Sequence, residues 1–468
     1  MTAASVFEAV CGALRPLARG YPVHSHNVAV LHSPAQFRDA LHECLAAARR
    51  RVTLASLYIG AEGPHERHLL SALASAASRS ADLQLSLVLD AHRASRPTGV
   101  DPVTGQATSC AAACRQVLLP AGAAVYLHKR HPLAEVLPHR TREVLGVSHV
   151  KAAVFDDAVL WTGANLSETY LTQRQDRYIL IRDSPELADA TAALLHRMQA
   201  HSGVLGSDGA VTWPPQGPSS SELSAELRDL LQPADGMETL GVDAATGVAS
   251  HDTVAYLTMQ AGYAGLLHDT QCLVAALHAV AHSACVGVST PYCNLASSPF
   301  TSQLLRALGQ QEQLQMVTAS PGTHAWAGEG STLKGGISSR VAPAYAVLTH
   351  KTADALHRHG RSVGWREYTA AGRQFHAKGI WMLDAETPAA CAATVVGSSN
   401  FGPRSAVRDL EMNCVLATRG EGLQHALGAE WTSLVAQSKP VSLEQLAARR
   451  RGGGLGGALV ARAAARWM

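Results

Sequence analysis

The sequence predicts an α/β fold made of two duplicated α/β sandwich domains, related by a pseudo-twofold axis and sharing one site. Three observations carry this reading. Apolar runs of strand length alternate with segments of helical period, the pattern of helices layered on a sheet. Landmarks of the second half repeat those of the first: the offset is 234 from Tyr58 to Tyr292, 227 from His149 to His376 and 235 from Asn165 to Asn400. The spacing from Asn165 to Asp176 and from Asn400 to Glu411 is 11 residues in both. A period this long marks a domain duplication, not a solenoid, and two like halves pack most simply about a twofold.

Composition narrows the class. With 468 residues and 47% hydrophobic content, the chain can fill large cores. A net charge of +2 and 5% aromatic content offer neither a basic field nor stacking platforms, so nucleic acid is not an expected partner. The nine cysteines are odd in number and scattered, only Cys110 and Cys114 being close. That suits a reducing compartment better than a disulfide framework, and no second close pair completes a zinc site. The richest apolar stretch, Cys272 to Val288, is interrupted by His278 and His282, so no transmembrane helix is expected. Lipid handling would then require peripheral attachment.

Taken in order, residues 1–26 form a loosely patterned N-terminal segment. Its first twenty residues carry only Arg15, Arg19 and Glu8, which is sparse for a mitochondrial presequence and equally compatible with a plain helix. Residues 27–202 are the first domain. Asn27 to Leu31 reads as a strand, and Ser33-Pro34 caps and opens a helix running to about Arg50. Val52 to Tyr58 and Leu83 to Asp90 are strands, with a helix over 65–78 between them. Tyr178 to Arg182 is a strand, followed by a helix over 185–200. Residues 203–262, opened by a Gly/Pro/Ser-rich stretch, are read as linker and connecting helices. Residues 263–440 form the second domain, with a helix over 268–282 and strands Val286 to Tyr292 and Leu314 to Ala319. Residues 441–468 are a basic C-terminal tail, either lying on anionic lipid or solvated.

The chemistry sits in Ser148-His149-Val150-Lys151 and Phe375-His376-Ala377-Lys378. In a strand, residues two apart share a face, so each His stands beside its Lys. A cation next to an imidazole depresses its pKa unless an anion joins them. A phosphate group fits: Lys151 and Lys378 would hold its non-bridging oxygens, leaving an imidazole free to attack phosphorus. Asn165 and Asn400, after small-residue turns, would donate to the same oxygens. Asp176 and Glu411 are the candidates to fix the imidazole tautomers. Two imidazoles across one phosphorus divide the labour, one attacking and one moving the proton, in a scheme that needs no metal. Asp156 completes H-x-K-x4-D and joins the candidate catalytic set, but its twin position is Leu383, with Asp384 one place on, which favours a structural role.

The doubled H-x-K resembles the signature of the phospholipase D superfamily. Ala48-Arg49-Arg50-Arg51 leading into Ala55 to Tyr58, Gly163 to Ser167, Arg174 to Tyr178, Thr318 to Pro321, Glu367-Tyr368, Phe375 to Gly379 and Gly397 to Glu411 resemble its eukaryotic, mitochondrial phosphatidylglycerophosphate synthase branch over roughly 27–435. That branch also lacks the second Asp. The resemblance implies a phospholipase D-like fold and transfer of a phosphatidyl group from CDP-diacylglycerol to sn-glycerol 3-phosphate via phosphohistidine. It further implies no cofactor, peripheral association with an anionic membrane, and a place on the matrix side of the mitochondrial inner membrane. Arg93, Arg96, Lys334 and Arg373 are candidates for the acceptor's phosphate. Two other readings compete. A superfamily enzyme with another acceptor would be a phosphatidylserine synthase, a cardiolipin synthase, a phospholipase or a nuclease. A lipid-binding protein without chemistry would form no adduct on histidine.

Overall fold

A computed structural model describes residues 2–100, 105, 107–129, 143–215, 219–233, 251–282, 284–324, 341–358, 363–387 and 389–452. The two α/β halves expected from the sequence are present, each built on a nine-stranded sheet. The first sheet runs from edge to edge as Val211–Thr212, Gly203–Leu205, Ala124–His128, Gln84–Asp90, Arg51–Ser56, Ala152–Phe155, Ala158–Thr162, Tyr178–Ile181 and Val28–Leu31. The second runs as Ser438–Pro440, Val363–Tyr368, Gln313–Ala319, Ala284–Ser289, Gly379–Asp384, Cys391–Gly397, Glu411–Thr418, Thr253–Gln260 and Gly20–Val23. Laid side by side, the central strands correspond one for one, as the sequence offsets require.

Each strand turns alternate residues to two cores. In Tyr178–Ile181, Tyr178 and Leu180 join the outer core under the helices Pro34–Ala47 and Pro64–Arg79. Ile179 and Ile181 face inward, where the helices Pro185–Ala200 and Glu421–Ala436 are packed between the halves. Trp161, Trp381 and Trp431 fill this inner core. Each fully buried large apolar side chain there contributes about 1.5–3 kcal/mol, so the two halves are held by a continuous interior and not by a hinge. The helix Pro34–Ala47 begins as its sequence dictates, with Gln36 N donating to Ser33 Oγ at 3.2 Å.

Three segments differ from the sequence reading. Residues 1–26 are not a separate segment: the helix Ala3–Leu14 buries Val6, Phe7, Val10 and Leu14 in the second half's outer core, and Gly20–Val23 pairs antiparallel with Thr253–Gln260. Residues 203–262 are more than linker: they give the first sheet two edge strands and the second sheet its long strand Thr253–Gln260, between which lies the helix Ser220–Leu231. Gly/Pro punctuation masked the edge strands, and strand membership is decided by tertiary pairing. In the C-terminal stretch Leu443–Gly452 is a helix, with Leu446 buried and Arg449 paired with Glu367; residues 453–468 lie outside the described residues.

Candidate active site

Two short parallel pairings join the halves, and they build the site. His149 N donates to Leu410 O at 2.8 Å, beside the bridge between Ser148 and Leu410. His376 N donates to Gln175 O at 2.8 Å, where Arg174–Gln175 runs parallel to Gln374–Phe375. Leu410 and Gln175 each precede a carboxylate. Each histidine is therefore set down next to the acid of the opposite half.

The result is a crosswise exchange. His149 Nδ1 is 2.9 Å from Glu411 Oε2, and His376 Nδ1 is 2.5 Å from Asp176 Oδ2. With the Nδ1 proton assigned to these contacts, Nε2 of each ring carries the lone pair. Lys151 Nζ donates to His149 O and Lys378 Nζ to His376 O, each at 2.8 Å, so both ammonium groups curl back onto their own histidine. Lys378 Nζ also lies 2.8 Å from His376 Nδ1 and 3.6 Å from Asp176 Oδ2. Glu411 is pinned by two hydroxyls, with Ser398 Oγ donating at 2.5 Å and Ser405 Oγ at 2.6 Å. Asp176 Oδ1 accepts from Arg177 N at 2.9 Å.

Burial sets the charge states. It pushes His149 below its ordinary value, with Glu411 pulling back and Lys151 adding to the depression. His376 is pushed well below its ordinary value, first by burial and then by Lys378, Arg174, Lys151 and His149. Burial lowers Lys151 to about 7 and Lys378 to about 8. It raises Asp176 to about 6 against the pull of Lys378. Two lysines and two imidazoles thus crowd one buried place, and an arriving anion would relieve their mutual repulsion.

Asn165 and Asn400 lie in the turns after Gly163 and Gly397. Their buried side-chain oxygens have no partner among the described residues. Amide O and N exchange by a flip of the side chain, so the same positions can present Nδ2 donors, and such a pair at duplicated positions is open to a ligand. Gly163 is required by contact: a Cβ there would stand 2.5 Å from Asp176 Oδ1 and 2.9 Å from Lys378 Nζ.

Asp156, in the candidate catalytic set but with a structural role favoured by its missing twin, is held by backbone amides. It occupies a left-handed turn position, φ +50°, and its carboxylate accepts from the backbone N of Arg49, Arg50 and Arg51 at 2.8, 2.8 and 3.0 Å. Those bonds anchor the strand start, away from the imidazoles. Asp384 has a similar local role, accepting from Glu386 N, Thr387 N and Ala3 N. Of the acceptor candidates, Arg93 stacks over Tyr58, 4.2 Å from its ring centre. Arg96 is paired with Glu143 at 2.9 Å, and Arg373 donates to Thr172 O at 3.3 Å. Lys334 lies outside the described residues.

Several groups at the site carried no signal of their own. Tyr170 Oη is 3.2 Å from His376 Nε2. Asp90 is fully buried and accepts from Ser148 N at 2.8 Å, while Asp409 accepts from Val147 N at 3.0 Å. Arg177 is buried and reaches Glu430 at 2.9 and 2.6 Å, Val395 O at 2.6 Å and the face of Trp381. Ser398, Ser405 and Arg177 do fall inside or beside the motif blocks, which is the signal that could have found them.

No protein-family model matches the chain. Two curated relatives, both named mitochondrial CDP-diacylglycerol–glycerol-3-phosphate 3-phosphatidyltransferase, match 92% of this chain and 81% of their own length. The Gallus gallus protein is 29% identical over 483 residues and the Homo sapiens protein 30% identical over 473. Among solved structures, the phosphatidylserine synthase of Haemophilus influenzae Rd KW20 is similar with a TM-score of 0.71 and 18% identity. The match covers 98% of this chain and 100% of that one, a likeness of fold. At this identity and coverage to the human relative, the chain belongs to the family of CDP-diacylglycerol–glycerol-3-phosphate 3-phosphatidyltransferases.

Proposed function

We propose that the chain moves the phosphatidyl group of CDP-diacylglycerol to sn-glycerol 3-phosphate, forming phosphatidylglycerophosphate and CMP through a phosphohistidine intermediate. The observation that carries this is the crosswise pairing of His149 with Glu411 and of His376 with Asp176, in a chain of this family. Lys151, Lys378, Asn165 and Asn400 take the non-bridging oxygens of the attacked phosphate, as charge-assisted and neutral donors. His149 Nε2 attacks phosphorus in line, the bond to CMP breaks, and a proton that His376 takes up at Nε2 as the anionic donor binds goes to the departing oxygen. His376 then takes the proton of the glycerol hydroxyl. That oxygen attacks phosphorus, and the bond to His149 Nε2 breaks. Glu411 and Asp176 stabilise whichever ring is positively charged. Arg93 or Arg373 would meet the acceptor's phosphate.

The relatives are named mitochondrial. Among the described residues no helix is long and apolar enough to cross a membrane. Peripheral binding to an anionic surface, on the matrix side of the inner membrane, is the corresponding assignment for this chain.

The test supplies CDP-diacylglycerol with glycerol 3-phosphate, serine or water in parallel. Glycerol 3-phosphate should be the preferred acceptor, and labelled donor alone should leave an acid-labile phosphoramidate on histidine. Faster transfer to serine or water, or activity of His149→Ala and His376→Ala both within about tenfold of wild type, would remove this reading.

A further inference from the structure

The halves are duplicated, but the two histidines are not equivalent. Five residues after Asn165 stands Tyr170, and five after Asn400 stands Ser405. The two side chains do different things. Ser405 Oγ donates to Glu411 Oε1 at 2.6 Å, behind His149. Tyr170 Oη makes no such bond to a carboxylate among the described residues and lies 3.2 Å from His376 Nε2, the ring meeting the imidazole edge-on at 4.9 Å and 85°. Tyr170 is 3% exposed, and Arg174 covers its ring at 4.2 Å from the centre. No described residue bonds Nε2 of His149. One histidine therefore presents a bare lone pair, while the other has its lone pair already engaged by a buried phenol.

We propose that Tyr170 is a further catalytic residue. Its hydroxyl relays the proton between His376 Nε2 and the reacting oxygen, and so commits His376 to proton transfer and leaves His149 as nucleophile. The inference rests on the phosphatidyl-transfer reading above. As the anionic donor binds, His376 takes up a proton from solvent at Nε2; in the first step this imidazolium gives that proton to Tyr170 Oη as Tyr170 gives its own to the CMP oxygen. In the second, Tyr170 takes the proton of the glycerol hydroxyl while passing its own to His376 Nε2. The glycerol oxygen then forms its bond to phosphorus and the bond to His149 breaks. Tyr170 is unchanged over each step, and the net transfer is one proton from acceptor to CMP. Burial holds the phenol well above its ordinary pKa, with Tyr58 and Tyr292 close enough to add to the shift, so it passes protons without resting as phenolate. A tyrosine that merely satisfied its buried hydroxyl would show the same contact in this structure, so the test has to separate the two steps.

Tyr170→Phe keeps the ring and the Arg174 contact. A phosphate monoester leaves readily even with little proton help, whereas a glycerol hydroxyl must lose its proton to attack. The variant should therefore release CMP in a burst within about threefold of the wild-type rate, while acceptor-dependent turnover falls ~10²-fold or more. The phosphatidyl adduct should accumulate on His149. Turnover within threefold of wild type, burst and turnover falling together, or an adduct on His376 would each overturn the relay. If the variant does not fold, the wild-type proton inventory decides: a curved dependence on deuterium fraction supports two protons in flight, and a linear one overturns it. Wild type making no phosphatidylglycerophosphate would strike the functional reading itself. Wild type making it, matched by Tyr170→Phe, would strike only the relay.

Discussion

Glu411 Oε2 stands 2.9 Å from His149 Nδ1 across 262 residues of chain, and Asp176 stands 2.5 Å from His376 Nδ1 across 200. Each half supplies the acid for the other's base. The backbone enforces this, because the residue before each acid accepts a hydrogen bond from the N–H of the opposite histidine. Neither half alone pairs its own H-x-K histidine with an acid.

Exchange of acids makes the two amide variants separable. Glu411→Gln keeps the shape and removes the charge that holds the His149 tautomer, so CMP release in a single turnover should fall by about 10²–10⁴. Asp176→Asn should leave that burst closer to wild type and slow the transfer to acceptor. Rapid-quench measurement of CMP and of lipid product resolves the two. Identical profiles for both variants would mean that the imidazoles do not have separate tasks.

Anion affinity should depend on pH with a definite sign. Burial lowers Lys151 to about 7 and Lys378 to about 8, so the empty site loses positive charge as pH rises through those values. A bound phosphate restores the protons, and binding is accompanied by proton uptake. The affinity for CMP should therefore weaken by about tenfold per pH unit once the first lysine has titrated, and more steeply after the second. Calorimetry in buffers of different ionisation heat reads the uptake directly. An affinity that does not change across this range would contradict the charge states assigned here.

Asp156→Asn should alter stability and leave chemistry alone. Three backbone N–H groups lose a charged acceptor, which costs about 1–3 kcal/mol in unfolding free energy, while turnover stays within about twofold. The bonds from Arg51, Arg50 and Arg49 hold the folded-state pKa of Asp156 below its ordinary value despite burial. Its contribution is therefore present above the unfolded value and is lost as pH falls through the folded one. Urea unfolding at several pH values checks this, and a large loss of turnover in a stably folded variant would return Asp156 to the catalytic set.

Arg177→Met should destabilise by about 3–5 kcal/mol, because Glu430 is left charged and buried among apolar groups. Replacing Arg177 and Glu430 together by Met should recover much of that. A single variant costing under about 1 kcal/mol would show that the pair is not a structural strut.

Much of this is legible in the sequence. Strand and helix periods are local, so Tyr178–Ile181 and Pro34–Ala47 lie where the sequence put them to within a few residues. The site was legible because duplication wrote it twice: His149 with His376, Asn165 with Asn400, Asp176 with Glu411. What failed is what depends on three-dimensional pairing. Nothing local says that Asp176 serves the second half's histidine, or that Gly20–Val23 closes the second half's sheet. Tyr170 reads as one more aromatic on a short helix until the fold aims its hydroxyl across the interface. Asp156 is the opposite case: the letter of a motif is present, but its twin position is Leu383, and the turn it occupies turns its carboxylate to backbone amides.

The first residues of the chain dock on a strand that follows them by more than two hundred positions, with Gly20 opposite Tyr256. At ribosomal speeds of about 5–20 residues per second, the apolar stripe of Val6, Phe7, Val10 and Leu14 leaves the tunnel some tens of seconds before its partner exists. The stripe is thus made well before the sheet that buries it. Throughout that interval its apolar face has no sheet to cover it, so a nascent chain halted short of Thr253 would expose Val6, Phe7, Val10 and Leu14 to any chaperone at hand.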